Sequence, residues 1–511
     1  MDDKVILLNS NEVVDANPKL LNPDNVQYGE LGVNYHKGTE TISTKNDENG
    51  IAEFVPYSVY DEVIDSIQNE VFYETDEPIG KTGDVWIYKI PPIPMMIEYN
   101  VLADDLSVQL PISGNVNCDI EWGDGSKESV NSDYPTHSYI RAGVYVVKIV
   151  GDFNRLYQGS TNISKILNWG NSNMSLVTVE QAFSGYINLT EVAGDEFGIL
   201  SRVSSFLRTF FNCSGLTTVS EDLFKYCNAA TNFNQVFQGC KSLTNIPNSL
   251  FANCVNATNF NNIFNGCSNL ISIPEDLFKN NINANTFVSA FDSCSGLTSS
   301  IPEKLFETNI NATNFTRTFY SCINLTGVIP ENLFSNCINA NNFTYTFGLC
   351  RNLSGNIPNG LFKNCPNVTT FSQTFFNCSG LTGMLPSDLF VDKSEVLTLY
   401  QTFQNCVNIS GIAEGCFDSM TKLNNCQSTF NGCTSLTSIP ETLFNNNKEI
   451  TNFTTMFQGC TSLTGNTPTT DGLQLWERAG QPGYPSSIYG TQCFYRATRL
   501  TNYSSIPTGW K

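Results

Sequence analysis

The sequence predicts a multidomain chain: a small β-rich N-terminal module with one short helix, then a β-sandwich, then an α/β solenoid of about twelve 27–28-residue repeats. Three observations carry this. A Phe-x-x-Cys-x-x-Leu motif returns at a fixed period through the C-terminal part. Alternating apolar runs such as LSVQLPI and VYVVKIV mark strands in the middle. Short extended runs separated by turn residues mark the start. The boundaries fall at 1–92, 93–157 and 158–511.

Composition bounds the function. Hydrophobic residues make up 41% of the 511 residues and charged residues only 15%, which describes a folded chain with a neutral, polar surface. Net charge is -21, from 27 basic and 48 acidic residues, without any Lys/Arg cluster. Nucleic acid and anionic lipid are therefore poor partners, and the acidity reads as solubility. The opening MDDKVILLNSNEVV lacks a basic start followed by a long apolar run, so no secretory signal is expected. No stretch approaches membrane-spanning length. The expectation is folding in the cytoplasm, with the 18 cysteines kept as thiols. Two histidines, His36 and His137, leave little room for histidine-dependent catalysis. No cofactor and no metal is expected.

In the N-terminal module, VQYGELGVNYHKGTETISTKNDENGIAEFVP places extended runs around a turn at His36-Lys37-Gly38, with a second turn at Asn49-Gly50. It resembles the attachment region at the start of phage tail-fibre and head-fibre proteins. The matching residues are Gly29, Glu30, Leu31, Val33, Asn34, Tyr35, Lys45 and Gly50. The resemblance implies contact with other virion proteins, through Gly29, Glu30, Leu31, Asn34 and Tyr35. In YDEVIDSIQNEVF, Tyr60, Ile64, Ile67 and Val71 form a seam shorter than two heptads. A helix docked on its own domain and an oligomer-forming helix, trimeric as in fibres, both remain open. TGDVWIY (82–88) reads as a strand and PPIP (91–94) as a stiff linker.

The middle holds IEWGDGSKESVNSDYPTHSYIRAGVYVVKIVG. Gly-Asp-Gly makes a tight turn, and the aromatic residues pack a sandwich. His137 is assigned a structural hydrogen bond near that turn. A Ca²⁺ site at Asp124 is the second reading, without a second fixed carboxylate. On Trp122, Gly123, Asp124, Gly125, His137, Tyr139, Gly143 and Tyr145 the segment resembles a PKD domain, an immunoglobulin-like sandwich. That implies a spacer or a glycan-contacting module. ISKILNWGNSN (163–173) joins it to the first repeat.

The repeat cysteines fall at 213, 240, 267, 294, 322, 350, 378, 406, 433 and 460, with Tyr186 and Ala497 in the same column at the two ends. Divergent end copies suit capping. Within a copy, Phe233, Phe237 and Cys240 fit one face of a helical turn, and the chain straightens near LTNIP. Proline starts a second short turn, and the acidic residue after it reads as a helix cap. Where the period is 28, the extra residue lies between Leu-Thr and Ile-Pro. At roughly 5 Å per strand, twelve copies make a face of about 60 Å.

No Cys-x-x-Cys occurs, so zinc-ribbon and thioredoxin-like readings fail. Cys416 stands in a leucine column and Cys426 in a phenylalanine column. A second column of Cys227, Cys254, Cys337 and Cys365 becomes Asn281 and Asn309 in other copies. Cysteine thus behaves as a small buried apolar residue. Stacked columns put Cα atoms roughly 5 Å apart, within disulfide range, so an oxidised ladder stays as the alternative to a thiol ladder. Repeat proteins bind through exposed positions on one face. Here those are the variable residues around the strand, Asn245, Ser272, Ser299 and Val328.

The repeats resemble BspA-type leucine-rich repeats of bacterial and phage surface proteins over about residues 160–511. The Phe-x-x-Cys-x-x-Leu core and the closing LQLWERAGQPGYPSSIYGTQCFYRATRLTNYSSIPTGW carry the match. Adhesion and recognition are what the resemblance implies. Together the readings point to a non-enzymatic head or tail fibre of a bacteriophage. It would assemble in the host cytoplasm, and its solenoid would meet a host-surface glycan or protein. A bacterial cell-surface adhesin is the alternative. A polysaccharide depolymerase ranks last, because no acidic pair stands outside cap-like positions.

Overall fold

Hydrogen-bond bookkeeping along one repeat explains the architecture. From Phe233 onward, alternate N–H groups point to the next copy. Phe233, Gln235, Phe237 and Gly239 donate to the carbonyls of Asn259, Asn261, Ile263 and Asn265 at 2.7–3.0 Å. The N–H groups of Gln238, Cys240 and Leu243 turn back three residues within their own copy, to Gln235, Phe237 and Cys240. Each copy is therefore a rung of consecutive turns, joined to its neighbours by a parallel ladder that includes Asn232–Asn259, Asn259–Thr286 and Thr286–Asn314.

The chain is described here from a computed structural model. It covers residues 92–104, 106–173 and 175–511 with their side chains, and before residue 92 the backbone of six strands. Internal contacts divide it into two units, Met1–Pro94 with Gly170–Met174, and Met95–Trp169 with Ser175–Lys511.

The six strands of the first unit are β1 (Val5–Asn9), β2 (Leu31–His36), β3 (Thr39–Lys45), β4 (Ile51–Val55), β5 (Val71–Tyr73) and β6 (Val85–Lys89). They form two three-stranded sheets, β1-β6-β5 and β2-β3-β4. The hairpin expected around His36 is present as antiparallel β2 and β3, with His36 opposite Thr39. The strand expected at 82–88 is β6. The helical seam over residues 60–71 lies mostly outside the described residues. Its last position is corrected: Val71 sits in β5, paired with Val85.

The second unit begins with a larger sheet. Its strands are β7 (Met95–Val101), β10 (Asn117–Glu121), β11 (Lys127–Val130), β13 (Gly143–Asp152) and β15 (Ile163–Asn168). Two small pairs complete the β-rich part. One is β8 (Leu106–Gln109) with β12 (Thr136–Tyr139), the other β9 (Ile112–Ser113) with β14 (Arg155–Leu156). Period-two burial along β7, from Met95 through Ile97 and Tyr99 to Val101, supplies one wall of the core. The Tyr99 hydroxyl donates to the Gln109 carbonyl of β8 at 3.4 Å.

The sheet does not stop at β15. Two short strands of the first rungs, β16 (Glu191–Val192) and β17 (Thr218–Val219), extend it in the order β11-β10-β13-β7-β15-β16-β17. Ile166 of β15 lies opposite Ile97 in antiparallel register and opposite Val192 in parallel register. One strand thus closes the antiparallel part and opens the solenoid. It covers the exposed edge that a first rung would otherwise present.

Among the described residues no α-helix occurs; helical structure is limited to short 3-10 turns such as Ile199–Arg202. The expected α/β solenoid is therefore a β-rich, turn-built one. The reason is conformational. Residues five and one positions before the cysteine adopt left-handed backbone, as in Gln235 (φ 60°) and Gly239 (φ 75°), or Gln373 (φ 57°) and Asn377 (φ 58°). Two left-handed residues four apart cannot lie in a right-handed helix. The second turn expected after proline is a pair of overlapping turns, closed by Leu250 N–H on the Pro247 carbonyl and Ala252 N–H on the Ser249 carbonyl.

Three phenylalanine columns fill the core. Rings of the Phe237 column stack from Phe183 to Phe494, with centroids 5.3–5.8 Å apart. Asparagine joins the rungs. Asn232 and Asn259 accept the N–H two residues on, which starts each run of turns. Outside, Asn253 and Asn280 donate to the carbonyls of Lys225 and Ala252 in the preceding rung. At the C-terminus, the Gly509 and Trp510 carbonyls take the N–H groups of Gln492 and Phe494, which otherwise would need another rung.

Candidate functional site

The cysteine column resolves into a donor column. Each thiol donates to the carbonyl of the phenylalanine in the preceding rung: Cys240 to Phe210 at 3.2 Å, Cys267 to Phe237 at 3.1 Å, Cys378 to Phe347 at 2.9 Å. The same carbonyl also accepts the cysteine N–H of its own rung, as Phe237 does from Cys240. The second column does the same with looser thiols, Cys254 reaching Phe224 at 3.8 Å. Asn281 there donates to Phe251 and Cys254 carbonyls at 3.1 and 2.9 Å. The Cys/Asn exchange thus preserves a donor, which corrects the reading of cysteine as merely small and apolar.

At the first rung Tyr186 holds the column instead, and its hydroxyl accepts the Gly159 N–H at 2.6 Å. All 18 cysteines are buried thiols. Burial pushes Cys213, Cys406 and Cys460 up to about 12. A buried, protonated thiol is inert, so this column is structural.

The Gly123-Asp124-Gly125 turn is equally structural. Asp124 Oδ2 lies 2.8 Å from His137 Nε2, and Oδ1 accepts the Ser126 hydroxyl and N–H at 2.6 and 3.0 Å. Burial opposes ionisation, but the Ser126 hydroxyl and His137 outweigh it and hold the carboxyl down at about 2. His137 stacks on Trp122 at 4.7 Å and meets Tyr139 edge-on at 4.8 Å. The Tyr139 hydroxyl donates to the Trp122 carbonyl at 2.7 Å. Both Asp124 oxygens are thereby engaged. Among the described residues no group of three or more His, Cys, Asp or Glu is placed to hold a metal ion.

A groove of about 750 Å³ runs across the rungs between Ser272 and Pro358. Ser272, Ser299 and Val328 line it; Asn245 is exposed outside it. Its wall arises where the period lengthens from 27 to 28. Leu270 and Ile273 are three apart, whereas Leu297 and Ile301, Leu325 and Ile329, and Leu353 and Ile357 are four apart. The added length puts Ser300, Val328 and Asn356 on the wall.

Gly327 and Gly355 carry the chain around that bulge at φ 78° and 74°. A Cβ on Gly355 would lie 2.8 Å from a Val328 methyl. Glu275, Glu303 and Glu331, read from sequence as helix caps, line the groove in successive rungs. With no helix to cap, their carboxylates are free to face a ligand. Part of the signal that could have found them was present: the 28-residue step and a Pro-Glu pair coincide at Pro302-Glu303 and Pro330-Glu331.

Of the proposed attachment residues, Leu31, Asn34 and Tyr35 lie on β2, while Gly29 and Glu30 fall outside the described residues.

No protein-family model and no curated protein matches the chain. Among solved structures, a leucine-rich cell-surface protein from Faecalibacterium prausnitzii is similar at 18% identity. The overlap covers 63% of this chain and 89% of that one, with a TM-score of 0.23. A structure of the Toll–Spatzle complex of Drosophila is similar at 16% identity, over 57% of this chain and 45% of that one, with a TM-score of 0.22. Likeness of this size leaves function to be read from the chain's own residues.

Proposed function

We propose that the chain is a binding protein of a bacteriophage particle, a head or tail fibre. Its first unit attaches it to other virion proteins and forms a homo-oligomer, with a trimer favoured. The PKD-like sandwich caps the solenoid, and the solenoid recognises a host-surface glycan or protein. The chain acts without catalysis or cofactor, and its place is the virion.

The groove carries the reading. Serine hydroxyls, a valine and three carboxylates converge on a surface whose shape is fixed by the ladder beneath it. Pre-organisation of that kind limits the ordering cost of binding. A bacterial cell-surface adhesin with the same repeats is the second reading.

Mass spectrometry of purified phage particles separates the two. Recovery of the chain from particles supports the fibre; recovery only from the bacterial envelope supports the adhesin. Binding of the soluble chain to host cells, lost with Glu303→Lys, tests the groove. Release of reducing ends from host capsule would reinstate a depolymerase.

A further inference from the structure

The two outward columns five and two positions before the cysteine hold amides along much of the array, as in Gln235 with Gln238 and Gln401 with Gln404. Arg208 with Phe211 departs from the pattern at the Cys213 rung, and three consecutive rungs, those of Cys322, Cys350 and Cys378, depart from it together. They hold Arg317 with Tyr320, Tyr345 with Gly348, and Gln373 with Phe376. All three aromatic rings are partly exposed.

The rings form one row. Tyr345 meets Tyr320 edge-on at 5.1 Å and Phe376 edge-on at 6.3 Å. Gly348 makes this possible. A Cβ there would lie 3.0 Å from Tyr320 and 3.2 Å from Tyr345, so the missing side chain is the space Tyr345 leans across. Tyr345 itself sits at φ 57°, a costly conformation for a bulky side chain. Gln, Asn, Ser or Thr occupy this column in most other rungs, so the fold does not ask for a tyrosine here.

Charge is cancelled locally. The Arg317 guanidinium bonds Asp292 at 2.8 Å and lies 3.9 Å over the Tyr320 ring. Beside the row, Gln373 donates to Gln401 at 2.7 Å. Arg317 also lies 5.6 Å from the Tyr345 ring centre, so Tyr320 backs the row while the partly exposed rings of Tyr345 and Phe376 and the neutral amides are what this patch offers in a chain of net charge -21.

We infer that Tyr320, Tyr345 and Phe376 form a stacking platform for an uncharged pyranose polysaccharide, with Gln373 and Gln401 bonding its hydroxyls. A sugar ring presents a C–H face for stacking and an equatorial rim of hydroxyls for amides, which matches both halves of the patch. The platform shares no residue with the groove. The inference rests on the reading of the solenoid as the binding part.

Native electrophoresis of the full chain in gels containing galactomannan, arabinogalactan, dextran or anionic alginate tests it. At least one neutral polysaccharide is expected to retard the wild-type chain. Tyr345→Gln and Tyr320→Gln each weaken that retardation about tenfold. Both variants install a residue already found in these columns, and an unchanged melting temperature confirms folding. Glu449→Gln, at an exposed carboxylate outside both the groove and the platform, leaves the retardation intact. Retardation by alginate alone, by no neutral polymer, or retardation that both tyrosine variants retain overturns the platform. Particle recovery by mass spectrometry is independent of these gels, so failure of the fibre reading and failure of the platform are distinguishable.

Discussion

The thiol of Cys267 donates to the Phe237 carbonyl of the rung before it at 3.1 Å, and that carbonyl also receives the Cys240 N–H at 3.1 Å. The sulfur therefore fills core volume and completes a hydrogen bond between rungs. Cys267→Ala removes both and is expected to cost about 1–3 kcal/mol, read as a lower urea midpoint.

The second column yields the complementary prediction. Asn281 bonds two carbonyls while its own Oδ1 is buried without a partner. Asn281→Cys restores the residue found at Cys254 and should change stability by less than about 1 kcal/mol. Asn281→Leu deletes the donor and should cost about 2 kcal/mol. Equal urea midpoints for the two variants would remove the case for a donor column.

Alkaline pH should unfold the solenoid. A thiol whose folded pKa lies above its unfolded value stabilises the fold fully below the unfolded value, and that contribution is lost as pH rises through the folded one. Burial raises Cys213, Cys406 and Cys460 from 9.0 to about 12. Each such thiol loses about 1.4 kcal/mol per pH unit over that window. Circular dichroism should show a steep transition above pH 9, while reducing agent at pH 7 leaves the melting temperature unchanged.

The shared strand predicts coupled unfolding. Ile166 is fully buried between Ile97 and Val192. Ile166→Ala should cost about 2–4 kcal/mol and destabilise the antiparallel sheet and the first rungs together. Hydrogen exchange that rises on β7 but not on β16 would separate the two.

Acid titration of Asp124 runs the opposite way from the thiols. Its folded pKa of about 2 lies below the ordinary 3.8, so its contribution is present above that ordinary value and lost as pH falls through about 2. Asp124→Asn should flatten this acid limb. The emission of Trp122, stacked under His137, reports it most directly, with the other tryptophans replaced by phenylalanine.

Much of this was legible in the sequence because columns are a one-dimensional signal. Period, core phenylalanines, divergent ends and the Asp124–His137 turn all follow from spacing and residue type. The conformation between Phe233 and Cys240 did not. Phe-x-x-x-Phe-x-x-Cys fits a helical face, and a left-handed Gln235 announces itself by nothing in its own side chain. A weaker signal stood one residue before the cysteine, where Gly239, Gly266, Asn377, Asn405 and Gly432 all favour left-handed backbone. The groove was half visible: its serines and valine were chosen as variable positions, while its glutamates were assigned to helices that do not form. The aromatic row was missed because its two columns fall between the core positions Phe233, Phe237 and Cys240 and received no reading of their own.

The ring stack from Phe183 to Phe494 has an evolutionary side. A rung of 27 residues and one of 28 present the same cross-section to their neighbours, because the extra residue is absorbed in the outer bulge near Gly327 and Gly355. In-frame gain or loss of one unit by recombination would then alter only the array's length, by roughly 5 Å, and leave both caps compatible. Reach becomes a quantity that can vary between generations while the groove is kept, and the groove can vary while reach is kept.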